Sequence, residues 1–231
     1  MDNTRDEILF GYHFDLKPTN ILVDDDGLFI ISDFGQAHFA KASDATSSRV
    51  VGMGGTESNA PPEIDEPVTY LNRKHDIWSM GCIILEASAF VVQAYTGVHN
   101  LDNSRIITSK NRQRTDDRFF YRDDSGVSRI KPSILKWMDQ LVDTVKNIHA
   151  RHFIQKIFIL VLRILEVDVS QRLTSKELCV DLSEILCNSQ STSDPQTLTS
   201  YSSDHPGNNC LEVGRNAMSL IPTMNYNVER Y

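Results

Sequence analysis

Cysteine is scarce and unpatterned in this chain. Its four residues, Cys82, Cys179, Cys187 and Cys210, form no C-x-x-C pair and have no histidine at ligand spacing, so neither a zinc site nor a redox motif is supported. Thiols kept reduced in an intracellular compartment, cytoplasmic or nuclear, are expected. Positive charge is short as well. With 23 Lys and Arg against 31 Asp and Glu the formal charge is −8, and no general electrostatic hold on nucleic acid or on an anionic membrane is expected. The segment Met1 to Glu7 is acidic where a secretory signal carries a basic stretch and then an apolar run. Long apolar runs are interrupted: Ile77 to Tyr95 by Glu86, and Phe153 to Val167 by Gln155, Lys156 and Arg163. The first approaches spanning length, yet its central carboxylate and the lack of basic flank asymmetry favour a core helix buried on all sides over a membrane span.

What is present suffices for a globular core. The apolar set makes up 40% of the 231 residues and rises to roughly 45% with glycine, enough for a single core of about 180 residues and a tail. Two short β-rich runs, Ile21 to Val23 and Leu28 to Ile31, flank Asp24-Asp25-Asp26-Gly27. With Asp-Gly at the bend this predicts a hairpin, and the three aspartates read as a solvated turn. From Ala37 to Tyr70 the chain is polar and aperiodic, the pattern of a long functional loop. Arg73 to Ala94 reads as a helix. Thr96 to Lys131, rich in Asp, Arg and Asn, reads as a surface excursion, with Lys74 and Lys131 as surface charges. Beyond Pro132, Ile134, Met138, Leu141, Val142, Val145 and Ile148 recur at helical steps, and a further helix is expected over about His152 to Glu166. Thr174-Ser175-Lys176-Glu177 is a capping box opening a last helix to about Leu186. The expected fold is mainly α, a helical lobe with one small hairpin over residues 1–187. Residues 188–231 are expected to form a disordered Ser/Thr-rich tail, because nine of the twenty residues from Asn188 to Gly207 are Ser or Thr and too little apolar surface remains to offset ordering.

The chemistry concentrates at the two ends of the hairpin. His13-Phe14-Asp15-Leu16-Lys17-Pro18-Thr19-Asn20 precedes its first strand, and Asp33-Phe34-Gly35 follows its second. The hairpin therefore gathers two carboxylates, an ammonium and an amide around one small volume. Such a set suits phosphoryl transfer, in which metal ions and a cation neutralise phosphate oxygens while a carboxylate orients the attacking hydroxyl. Asn20 and Asp33 supply the hard oxygens that Mg2+ prefers.

These segments resemble the catalytic loop H-R-D-L-K-P-x-N and the D-F-G motif of the eukaryotic protein kinase family, Ser/Thr type. Gly55-Thr56 with Ala60-Pro61-Pro62-Glu63 looks like the end of an activation segment. Asp76 to Cys82 resembles the start of the long buried helix of the kinase C-terminal lobe, and Asp168 to Thr174 the segment that supplies its paired arginine. The resemblance implies a kinase-like C-lobe that uses ATP and Mg2+ to phosphorylate Ser or Thr of protein substrates. Asp15 would orient the substrate hydroxyl and Lys17 would contact the transferred phosphate. Asn20 and Asp33 would hold Mg2+, Leu22 would floor the adenine, and Thr56 would support Asp15 and Lys17. His13 and Phe34 would be packing residues, Glu63 and Arg172 a buried ion pair, and Asp76 a brace for the loop backbone.

Two features depart from the family pattern. Only fourteen residues precede Asp15, whereas an N-lobe with its Gly-rich loop and strand lysine takes about 80 to 100; Gly52 to Gly55 does not replace that loop. The expectation is an incomplete kinase domain needing an N-lobe or a scaffold partner, with the surface toward that lobe left as an exposed apolar patch; the alternative is a catalytically inactive interaction module or truncated product. Phe14 also stands where the family has an arginine that receives an activation-segment phosphate, so control through Ser43, Thr46, Ser47 or Ser48 is not expected.

Overall fold

The helix expected from Arg73 begins at Lys74 and runs further than its apolar run suggests, to Arg105 (α1, Lys74–Arg105). It was identified in a computed structural model that describes residues 9–41, 57–66, 73–108 and 115–190. The helix is apolar on several sides because it has several neighbours. Trp78, Cys82, Leu85 and Ala89 enter the larger core, together with Trp137, Met138, Phe158 and Val161. Ile77 enters a smaller one with Leu160, Ile164, Leu173 and Leu178. By length and composition α1 is the one helix among the described residues that could cross a membrane, with 44% of that stretch buried; it is not buried on all sides as expected, since one stripe enters the core while Phe90, Val91 and Tyr95 are exposed. It is broken once. Gln93 (φ −135°, ψ 15°) and Ala94 (φ 51°, ψ −144°) leave helical geometry before the chain re-enters it. Gly97 permits the re-entry, since a Cβ there would sit 2.2 Å from the Ala89 carbonyl oxygen.

Three further helices cover this axis. In α2 (Pro132–Thr144) Ile134, Trp137, Met138 and Leu141 are buried, the expected stripe with Trp137 added. The stripe does not continue to Ile148. Asn147 accepts from the His149 and Ala150 amides at 2.9 and 3.0 Å and starts a new helix, α3 (Ile148–Ile164), four residues before the predicted one. α4 (Ser175–Gln190) opens on the predicted capping box: Glu177 N donates to Thr174 Oγ1 at 3.3 Å and Thr174 N to Glu177 Oε2 at 2.8 Å. It extends to Gln190, past the expected boundary at Cys187; the rest of the predicted tail lies outside the described residues.

The strands form four two-stranded antiparallel ribbons among the described residues, where the sequence suggested one. One of them is the predicted hairpin, β2 (Ile21–Val23) with β3 (Phe29–Ile31), in the register Leu22 to Ile30. Its turn is closed by Gly27 N donating to Asp24 O at 3.0 Å, and Gly27 holds φ 78°, where a side chain would be strained. β1 (Leu9–Tyr12) pairs with β4 (His38–Lys41), which falls in the stretch read as loop. β5 (Ile107–Thr108) pairs with β6 (Thr115–Asp116), and β7 (Phe120–Arg122) with β8 (Ser128–Ile130).

These last ribbons overturn the reading of 96–131 as a surface excursion. Leu101, Phe119 and Phe120 are buried in the larger core, and the Phe120 ring meets Trp78 edge-on at 6.0 Å. Lys131 is no surface charge. It is fully buried, and its Nζ donates to Arg105 O at 2.6 Å, Asp116 O at 3.0 Å and Asp116 Oδ1 at 3.3 Å. All three ammonium hydrogens are thus accounted for, as a buried cation requires. Lys74 is half-buried and donates to Ser170 O at 3.0 Å.

Candidate active site

The loop from His13 to Asn20 is pinned from below by α1. Asp76, in the first turn of that helix, accepts from His13 N at 2.7 Å and Phe14 N at 2.9 Å. Two hydrogen bonds to one carboxylate hold Phe14 in the left-handed region (φ 62°), a conformation that costs a bulky residue on the order of 1–2 kcal/mol. The Phe14 ring is buried, stacked on Tyr12 at 5.2 Å and edge-on to His75 at 5.3 Å.

Past this bend the polar side chains converge. Asp15 is only 6% exposed. Its Oδ2 takes Lys17 Nζ at 2.7 Å and Asn20 Nδ2 at 3.1 Å, and Asn20 Nδ2 also reaches Asp15 O at 2.9 Å. With its nitrogen committed to Asp15, Asn20 turns its amide oxygen away from that carboxylate, which is the atom a hard cation would take. Pro18 to Asn20 form a single 3-10 turn, and this turn delivers Asn20 straight into β2.

The chain directly after β3 closes the site. Ser32 donates both its N and its Oγ to Asn20 O, at 2.8 and 3.0 Å, and His13 Nε2 donates to Ser32 O at 2.9 Å. Asp15 N meets His13 Nδ1 at 3.4 Å, so the imidazole carries its hydrogen on Nε2 and joins the two halves. Asp33 follows Ser32 directly, in the left-handed region at φ 62°, with Oδ1 accepting from Gly35 N at 3.3 Å. Phe34 then lays its ring against His13 at 5.0 Å. Both chain neighbours of Asp33 therefore touch His13, and this places Asp33 beside the Asp15 loop. Leu22 is 53% exposed, opposite Ile30.

The structural residues predicted from sequence also meet partners. Arg172, fully buried, donates NH1 to Glu63 Oε1 at 2.7 Å and NH2 to Glu63 Oε2 at 2.9 Å, a bidentate pair, and its guanidinium lies over the Trp78 ring at 5.0 Å. Thr56, Gly52 to Gly55 and the hydroxyls of Ser43, Thr46, Ser47 and Ser48 lie outside the described residues. Sequence reasoning passed over His75 and the polar residues from Asp116 to Arg122, which carry no motif, and read Lys131 as a surface charge.

A family model, the protein kinase domain, matches residues 11–182. Serine/threonine-protein kinase BCK1/SLK1/SSP31 of Saccharomyces cerevisiae is 42% identical over 77 residues, covering 33% of this chain and 5% of its own length. Serine/threonine-protein kinase Nek3 of Mus musculus is 39% identical over 77 residues, 33% of this chain and 14% of its own length. Cyclin-dependent kinase C-1 of Arabidopsis thaliana is 28% identical over 204 residues, 84% of this chain and 36% of its own length. The chain thus spans between 5% and 36% of the length of these curated relatives. A loop, a hairpin and a buried central helix carrying kinase motifs in family order, matched over most of its length, make this chain a member of the protein kinase family.

Proposed function

We propose that the chain forms the substrate- and metal-binding part of a Ser/Thr protein kinase, which transfers a phosphoryl group from Mg-ATP to Ser or Thr hydroxyls of protein substrates. The observation that carries this reading is the tied cluster of Asp15, Lys17 and Asn20, joined through Ser32 and His13 to Asp33. Asp15 accepts and orients the hydroxyl hydrogen of the acceptor. Lys17, 27% exposed at the mouth of the cluster, offers its ammonium to phosphate oxygens. Asn20 and Asp33 fit Mg2+ through one amide and one carboxylate oxygen. Among the described residues no three His, Cys, Asp or Glu side chains converge into a metal cage, and a cation that completes its shell with phosphate oxygens and water needs none. When bound, Mg-ATP supplies the transferable group and neutralises its own charge.

Both faces of the hairpin are apolar and open. Leu22 and Ile30 on one side, and Val23, Phe29 and Ile31 on the other, are all between 43% and 65% exposed. A nucleotide-covering lobe, in cis or in trans, fits this surface, with Leu22 under the adenine. In a two-lobe protein reconstituted on this chain, Asp15→Asn lowers turnover about 10^3-fold, the scale of a lost general base; full retained activity rejects the assignment. On the chain itself, sub-millimolar Mg-ATP raises Tm, because a ligand of the native state stabilises it. No shift with or without the covering lobe would favour a binding module without chemistry.

A further inference from the structure

The segment from Thr115 to Ile130, which carries β6 and the β7–β8 ribbon, does more than fill the surface beside α1. Its polar residues reach across to the Glu57–Glu66 segment, which directly follows Thr56. Ser58 Oγ donates to Asp117 Oδ2 at 2.9 Å. Arg118 NH1 donates to Asp65 Oδ2 at 2.6 Å, and Arg122 NH2 to Glu66 Oε1 at 2.9 Å. From the opposite side the same segment is held by the core: Ser79 Oγ donates to Asn59 O at 3.1 Å, and Arg172 takes Glu63. The segment therefore sits between two jaws, one buried and one half-exposed.

The outer jaw is itself rigidly mounted. Arg118 also pairs with Asp116, NH2 to Oδ2 at 3.2 Å, and Asp116 is anchored to the buried ammonium of Lys131. The Arg118 guanidinium lies over the Phe120 ring at 4.6 Å, and Phe120 is fully buried. An unbroken contact chain thus runs from the core through Lys131, Asp116 and Arg118 to Asp65. We propose that Arg118 and Arg122 are positioning residues that set the conformation of the Glu57–Glu66 segment, and through it the docking of the protein acceptor beside Asp15. The second half of this statement rests on the kinase reading; the first does not.

The test uses the whole chain and two separate readouts. In hydrogen exchange the Ile64 and Glu66 amides, bonded to Pro61 O and Glu63 O at 3.2 Å each, report on the segment. Partly exposed ion pairs carry small energies each, so Arg118→Ala with Arg122→Ala raises exchange over 57–66 about fivefold to tenfold and leaves α3 unchanged. Arg118→Lys with Arg122→Lys retains most of the protection. Unchanged exchange over 57–66, or an equal rise in α3, overturns the proposal. If the double alanine variant does not fold, Asp65→Ala with Glu66→Ala removes the same pairs from the other side, leaving both arginines in place. The kinetic arm uses a Ser/Thr peptide pool and the two-lobe protein: the alanine variants raise the peptide KM about fivefold and leave the ATP KM alone, whereas equal changes in both overturn the link to the acceptor. A wild-type protein that phosphorylates nothing fails the kinase reading, and the exchange arm still decides the clamp.

Discussion

Ala94 holds dihedrals (φ 51°, ψ −144°) that are close to a glycine-only region. It is exposed and contributes no core contact, so relieving the strain outweighs the extra chain entropy that glycine brings. Ala94→Gly is expected to stabilise the protein by about 1 kcal/mol and raise Tm by about 2–4 °C, read by thermal denaturation; a lower Tm would show that the break is not strained. Phe14 carries comparable strain, held by Asp76 and two aromatic neighbours. An uncharged ring buried there offers an incoming phosphate no partner; the hydroxyls of Ser43, Thr46, Ser47 and Ser48, on which the expectation about phosphorylation bears, lie outside the described residues. Asp15, Lys17, Asn20 and Asp33 were legible in the sequence because their motifs are short and lie within one hairpin's reach. Lys131 was not. Its partners at Arg105 and Asp116 stand 26 and 15 residues away, and nothing local separates a buried ammonium from an exposed one.

At the scale of elements, periodicity located the helices and misplaced their ends. The apolar spacing in the sequence runs on through Val145 and Ile148, while α2 ends at Thr144 and Asn147 caps a new helix; an Asn just before a new helical run was the available signal. The break in α1 had no proline to announce it, and the Asp- and Arg-rich run after it hid two buried phenylalanines. That ribbon is tied to the core by a titrating group. Burial raises the Asp116 pKa, but the hydrogen bonds from Arg118 and the charge of Lys131 outweigh it and hold the carboxyl below its ordinary 3.8. A depressed folded pKa means stability that is complete above the unfolded value and lost as pH falls through the folded one. The difference in urea midpoint between wild type and Asp116→Asn should therefore be constant from pH 5 to 7 and shrink below about pH 4. A difference that does not vary with pH would remove Asp116 from the attachment.

At the scale of the molecule two surfaces contrast. The hairpin presents open apolar side chains on both faces, and the stripe of α1 through Trp78, Cys82, Leu85 and Ala89 is closed to solvent. Cys82 is 1% exposed, its thiol pushed up by burial and only partly offset by the charges of Arg105 and Arg172. Cys179 and Cys187 stand exposed on α4. Since only the thiolate reacts, an alkylating reagent should modify the two α4 sulfurs within the dead time and reach Cys82 only when a molecule opens; prompt modification of Cys82 would contradict its place in the core. The chain thus carries a built-in clock, and the rate at which one sulfur is capped, divided by the rate for an unstructured peptide, tells how often a resting molecule comes apart.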